Sequence, residues 1–397
     1  VFLVQDGHQA HTQIPDAVAS GSAQGVIWSP ADHSAVQLDD LVRADWLEGH
    51  TNAIDPQLYV APLQDSNPKK LPDHGLFPVP LRARDLSARS IVTLVDRILE
   101  WQSGFPVTHL LSPTVSIASM ADRSAEVAAN LADASISAWA HRHDGRELLV
   151  SVAVAQSLLA DPDSVDSLLD ELTSYECAGF YLLLDLDPRL DPSELAVLTE
   201  RALYIVYTLT QVQEYTVWIG YSGLKGYILR AAGADALTGG WWQKQNSWST
   251  ANWSAGGRGR APRPRIYLDS LVGSLLIDTE LELISRQNID PSLYRDVLTG
   301  SGDLADAFLN GRDFDSDYPR PDMIAQLFSV LGELDRRLEG DVESDMRQVL
   351  DDIADAEVLY RRIRDTRIQV DAGGGQALLT VWQTAITGLG RRLNLNF

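Results

Sequence analysis

The chain has 397 residues, 45% of them hydrophobic, a mean hydropathy of −0.10 and a formal charge of −23. This is enough apolar material for a large core in one or two domains, and so acidic a surface as a whole repels nucleic acid and anionic lipid. The single cysteine, Cys177, excludes an internal disulfide and a cysteine-based zinc site, and its setting in "SYECAGFYLLL" suits a buried structural thiol. No run approaches the roughly 18 apolar residues of a membrane span, and Val1-Phe2-Leu3-Val4 leads directly into polar residues rather than a signal-peptide core, so a cytoplasmic location is expected.

In chain order, short apolar runs followed by turns predict eight buried parallel strands. They are "VFLVQDG" (1–7), "GVIWSP" (25–30), "LYVAPL" (58–63), "THLLSP" (108–113), "LLVSVAV" (148–154), "FYLLLDL" (180–186), "TVWIGYS" (216–222) and "DALTGG" (235–240). Helical patterns separate the later ones, with caps expected at Asp163-Ser164 and Asp191-Pro192-Ser193-Glu194. Eight strands alternating with helices over about 240 residues predict a (β/α)8 TIM barrel. A doubly wound sheet would usually carry a glycine-rich phosphate fingerprint after its first strand, and "QDGHQAH" is not one. Residues 241–265 form a Trp-, Arg- and Gly-rich arm, and everything beyond, 266–397, is expected to be an all-helical bundle domain.

Barrel chemistry sits at the carboxyl ends of the strands. Those positions hold Asp6, His8 and His11, then Trp28, Ser29, Asp32 and His33, then Gln64 and Asp65. Ser112 and Gln156 follow strands four and five, Asp185 and Asp187 strand six, Tyr221, Ser222 and Lys225 strand seven, and Thr238, Gly239 and the Trp241-Trp242 pair strand eight. Asp6 and His8 share a strand face by period two, as do Asp185 and Asp187. Converging in the mouth, they would serve acid-base catalysis or a hard divalent metal; the alternative is that Asp187-Pro188 starts a turn and Asp185 pairs with a loop. The turn "IGYSGLKGY" puts Ser222, Gly223 and Lys225 at a helix start, where they form an anion seat completed by "TGG", or simply a tight turn with a capping serine. Trp28, Gln156, Tyr221, Thr238, Gly239 and Trp241 complete the expected ligand-binding set.

In the arm, Lys244, Arg258, Arg260, Arg263 and Arg265 interleave with Trp241, Trp242, Trp248 and Trp253. Such a segment either stacks on and neutralises single-stranded nucleic acid or a nucleotide, or pins a long loop to the protein itself or to a partner.

"DGHQAH" resembles the paired histidines at the first strand of amidohydrolase-type barrels. Gln156 and Asp185 stand where that superfamily has further histidines, and all eight histidines precede residue 144, so a binuclear zinc hydrolase is not expected. The stretch Val217–Gln245 with the arm after it is similar in layout to tRNA-guanine transglycosylase-type barrels. That resemblance implies base exchange in nucleic acid through an aspartate nucleophile. The family's arm holds zinc on three cysteines and a histidine, which this arm lacks, and Asp185 is not assigned as nucleophile from it.

Two functions are therefore expected as alternatives. One is a barrel enzyme, a hydrolase or a glycosyl- or base-transferring enzyme, acting on a small polar, phosphate-bearing or nucleoside-like ligand with Asp6, His8 and Asp185, its metal and cofactor unspecified. The other is a non-catalytic scaffold whose arm and carboxyl-terminal helices mediate self-association or assembly, for example in a nucleic-acid-handling or defence complex; it predicts a mouth plugged by Trp28, Trp241 or the arm.

Overall fold

The computed structural model describes residues 1–7, 12–63, 68–81, 85–142, 144–253, 263–314, 320–395 and 397. His8, His11, Gln64, Asp65, Arg258 and Arg260 lie outside the described residues. Strands β1 (Phe2–Gln5), β2 (Gly25–Trp28), β3 (Thr51–Ile54), β4 (His109–Leu111), β5 (Ser116–Ile117), β6 (Glu147–Val154), β7 (Gly179–Leu184), β8 (Thr216–Gly220) and β9 (Ala236–Gly239) form one parallel sheet. Its order is β3-β2-β1-β9-β8-β7-β6-β4, with the short β5 also on β6. The ends meet where Asn52 N–H donates to Thr108 Oγ1 (2.8 Å) and Thr108 N–H donates to the Asn52 carbonyl (3.0 Å), so eight strands make a nearly closed barrel.

The third strand is Thr51–Ile54, not Leu58–Leu63; Leu58–Val60 is a buried 3-10 turn. The polar Thr51 and Asn52 hide the strand from an apolar-run search, and at the seam the Thr108 hydroxyl completes the ladder on the Asn52 backbone.

The helices on the wall are α1 (Ile14–Ala19), α2 (Ala35–Val42), α3 (Ala88–Ser103), α4 (Arg123–Arg142), α5 (Gln156–Ala160), α6 (Pro162–Leu172), α7 (Pro192–Tyr207) and α8 (Lys225–Ala231). Asp191 caps α7 through Ser193 N–H as expected, whereas α6 is capped by Asp161 rather than Asp163, with Pro162 fixing the first turn.

The carboxyl-terminal region holds α9 (Glu282–Arg286), α10 (Leu293–Leu298), α11 (Asp303–Leu309), α12 (Arg320–Arg336), α13 (Val342–Asp365) and α14 (Gln376–Leu393). It is not helical throughout. β10 (Arg265–Leu268) and β11 (Gly273–Leu276) pair as an antiparallel hairpin, its turn tightened by Val272 in the left-handed region. The region also completes the barrel wall: α12 lies between α1 and α8 against β1 and β9, with Phe328 against Phe2, where an eighth barrel helix would sit. Gly332 makes this close packing possible, since a Cβ there would stand 2.0 Å from the Ser22 carbonyl oxygen. α14 packs along α7, and α13 is tied to α8 by Tyr227 Oη donating to Asp352 (2.7 Å). Among the described residues, no helix is long and apolar enough to cross a membrane.

Candidate functional site

Alternation along the strands decides which side chains enter the barrel. Gln5 on β1 and Tyr181 on β7 point inward and meet, Tyr181 Oη donating to Gln5 Oε1 (3.1 Å), and Thr238 Oγ1 of β9 donates to the same oxygen (3.0 Å). Ser151 is in register with Tyr181 and shares its side. Gly220 on β8 gives the tyrosine room, because a Cβ there would lie 2.5 Å from the phenol oxygen. Gln5 Nε2 and Ser151 Oγ are buried polar atoms with no partner among the described residues.

Above this layer sits Asp55, one residue past β3 and 2% exposed. Its Oδ1 accepts from Gln57 N–H (3.0 Å), and its Oδ2 accepts from Tyr59 Oη (2.8 Å) and Tyr221 Oη (3.4 Å). Gln57 Nε2 donates to Tyr221 Oη (3.0 Å) and Ser29 Oγ (2.9 Å), binding the loops after β2, β3 and β8 together. Burial pushes the Asp55 carboxyl up to about 6, although Tyr59, Gln57 and Tyr221 pull it back. Burial, and then the Asp55 charge, raise Tyr59, Tyr181 and Tyr221 well above the usual phenol value, so all three stay protonated donors. Gln57 and Tyr221 both hold left-handed backbone, φ 55° and 52°, a conformation costing a non-glycine residue about 1–3 kcal/mol where the surrounding structure imposes it. Both aim their side chains at this cluster.

Asp6 is as deeply buried but differently paired. Its Oδ2 meets His33 Nε2 at 2.6 Å and accepts weakly from Ser29 N–H (3.4 Å), while Oδ1 has no partner among the described residues. Burial pushes the Asp6 carboxyl up; for His33 burial acts downward, but the bond to Asp6 outweighs it and the imidazole is raised, so the pair holds a proton between two rings of loop. Asp32, which accepts from Ser29 Oγ, pairs outward with Lys69.

Asp6 and Asp185 bond to different partners. Asp185 is half-buried and bonded by Ser249 Oγ of the arm (3.0 Å), with its pKa raised by burial. Asp187 is gripped by Arg189 (2.7 Å), which holds its carboxyl below the usual range, and so matches the turn reading. Ser222 and Gly223 N–H both donate to the Thr238 carbonyl (2.9 Å each), and Ser222 Oγ donates there as well (2.8 Å). The amides of the expected anion seat therefore serve the strand ends. Lys225 Nζ donates to the Leu186 carbonyl (2.8 Å) and Ser247 Oγ (3.0 Å). Trp28 faces the helices rather than the mouth, tilted against Trp46, and Gln156 opens α5 half-buried. Cys177 is a half-buried thiol, pushed up to about 11 by burial.

The described part of the arm, residues 241–253, folds over the mouth. Trp248 and Trp253 are buried, edge-on to Tyr59 at 5.8 and 6.1 Å, while Trp241 stays half-buried beside Trp242. The glycines of "SGLKG" and "TGG" receive the arm: a Cβ on Gly240 would be 2.5 Å from Gln245 Oε1, and one on Gly223 2.6 Å from Asn246 Cβ. Asn246 exchanges two hydrogen bonds with the Gly240 backbone (3.0 and 2.7 Å). Arg263 and Arg265, beyond it, pair with Asp278 and Asp371.

Reading the sequence missed Gln5, Asp55, Gln57, Tyr59 and Tyr181. The signal available was Asp55 two residues past Ala53 in "TNAIDPQLY", a period-two step into the mouth, hidden by the misplaced third strand. Among the described residues no group of three or more His, Cys, Asp or Glu is placed to hold a metal ion. No family model and no curated protein matches the chain, so the chemistry of the site itself carries the reading.

Proposed function

We propose that the protein is a barrel enzyme in which the Asp55 carboxyl moves a proton on a small polar molecule, bound by the Tyr59, Tyr181 and Tyr221 hydroxyls and by Gln5. The observation that carries this is a buried carboxyl at the strand ends, poised near 6, toward which two strained non-glycine residues converge. A phosphate-bearing ligand would have to take the Ser222 and Gly223 amides from Thr238, and it would meet a buried carboxyl; a neutral hydroxyl- or amide-bearing molecule suits the cluster better. Residues 241–253 act as a lid. Burying the Trp248 ring favours closure by about 2–3 kcal/mol, and its indole N–H, without a partner among the described residues, offsets about 1–3 kcal/mol of that.

The second reading, a non-catalytic assembly subunit, draws on that same plugged mouth. Thermal stability against nucleosides, sugars, sugar phosphates, amides and divalent metals separates the two. A ligand-dependent rise in Tm that Asp55→Asn abolishes supports the enzyme. No rise with any of them, and equal Tm behaviour in the variant, supports the scaffold.

A further inference from the structure

We propose that Lys225 is a reactive amine that condenses with a small carbonyl compound at the barrel mouth, a site separate from Asp55. The chain has four lysines, and Lys69, Lys70 and Lys244 are exposed while Lys225 is 8% exposed. It opens α8 directly beyond β8, at the end of the barrel where the strands terminate, with Ser247 of the arm above it.

Its Nζ has two hydrogen-bond partners, the Leu186 carbonyl and Ser247 Oγ, both uncharged. An ammonium presents three N–H donors; a neutral amine presents two and a lone pair. Among the described residues, no charged group bonds the amine directly. The charged groups facing it are Asp185 and Asp187, and neither forms an ion pair with it: Asp187 is taken by Arg189 and Asp185 by Ser249. Burial lowers the Lys225 amine to about 8 against the pull of both carboxylates. Asp185 Oδ1 is buried with no partner among the described residues, and burial raises its carboxyl, which places it to pass a proton.

The step balances without a further reactant. The Nζ lone pair adds to the carbonyl carbon, and the oxygen takes up a proton through Asp185. The C–O bond then breaks, and both amine protons leave with that oxygen as water, giving a C=N bond.

The test is to incubate the protein at pH 7 with glyoxylate, pyruvate or glycolaldehyde, each with cyanoborohydride, and to map the reduced adduct by peptide mass. The expected result is Lys225 modified by at least one probe at least about tenfold faster than each exposed lysine, as its lower pKa dictates, with Asp185→Asn slowing that labelling severalfold. Adducts confined to Lys69, Lys70 and Lys244 with all three probes would overturn the proposal, and unchanged labelling in Asp185→Asn would overturn the role of Asp185. Both readings use folded protein with Lys225 in place, so neither depends on a variant at that position.

Discussion

Asp6 and Asp55 follow the first and third strands of one barrel, and both are almost wholly buried, at 1% and 2% exposed. They differ in what faces them. Asp6 meets an imidazole at 2.6 Å that can carry the opposite charge, whereas Asp55 meets only hydroxyls and an amide. Burial raises both carboxyls, but the Asp6 proton is shared with an imidazole that ties two loops together, whereas Asp55 is held by hydroxyls and an amide, none of which can carry a positive charge. The sequence offered Asp6 among its catalytic candidates, with His8, Asp185 and Asp187; the function proposed above rests instead on Asp55.

The sharpest break in this comparison is His33→Ala. Stranding the buried Asp6 carboxyl should cost about 3–5 kcal/mol in urea unfolding at pH 7, and a loss under about 1 kcal/mol would remove the distinction between the two aspartates. The next largest effect is Asp55→Asn, with the opposite sign. A folded pKa near 6 against about 3.9 unfolded means that the folded state binds the proton more tightly, so the parent loses stability as pH rises from about 4 to 6. The variant escapes that loss: at pH 7.5 it should match or exceed the parent by up to about 3 kcal/mol, and the advantage should vanish near pH 4. Smallest is Arg189→Ala. It breaks a pair whose arginine is largely exposed and should leave the urea midpoint almost unchanged, any small shift fading further in salt.

The barrel was legible in the sequence because parallel strands buried on both faces leave continuous apolar runs, as in "FYLLLDL" and "TVWIGYS". The seam strand was not, because it opens on the polar pair Thr51 and Asn52, the backbone of Asn52 meeting Thr108 across the seam. That error displaced the reading of the third loop to Gln64 and Asp65 and hid Asp55, Gln57 and Tyr59. Tyr181 was hidden for another reason: inside a run of leucines its hydroxyl carries no local mark, and only the missing Cβ of Gly220 on the adjacent strand makes room for it. The hairpin of β10 and β11 escaped because "RIYLDSLVGSLLI" suits a helix as well as two strands, and the turn depends on Val272 taking a backbone conformation unusual for valine. That α12 completes the wall depends on Gly332, a packing fact with no signature in the pattern of one helix.

Asp55 is proposed above as a buried acid poised near neutrality. The direct measurement is a titration of the aspartate side-chain carboxyl signals by 13C NMR, with Asp55→Asn identifying the resonance. The account predicts a midpoint near 6, moved by any ligand that the thermal survey finds. A midpoint near the ordinary value of about 3.9 would contradict it, and would leave the three phenols as packing around a well-satisfied carboxylate.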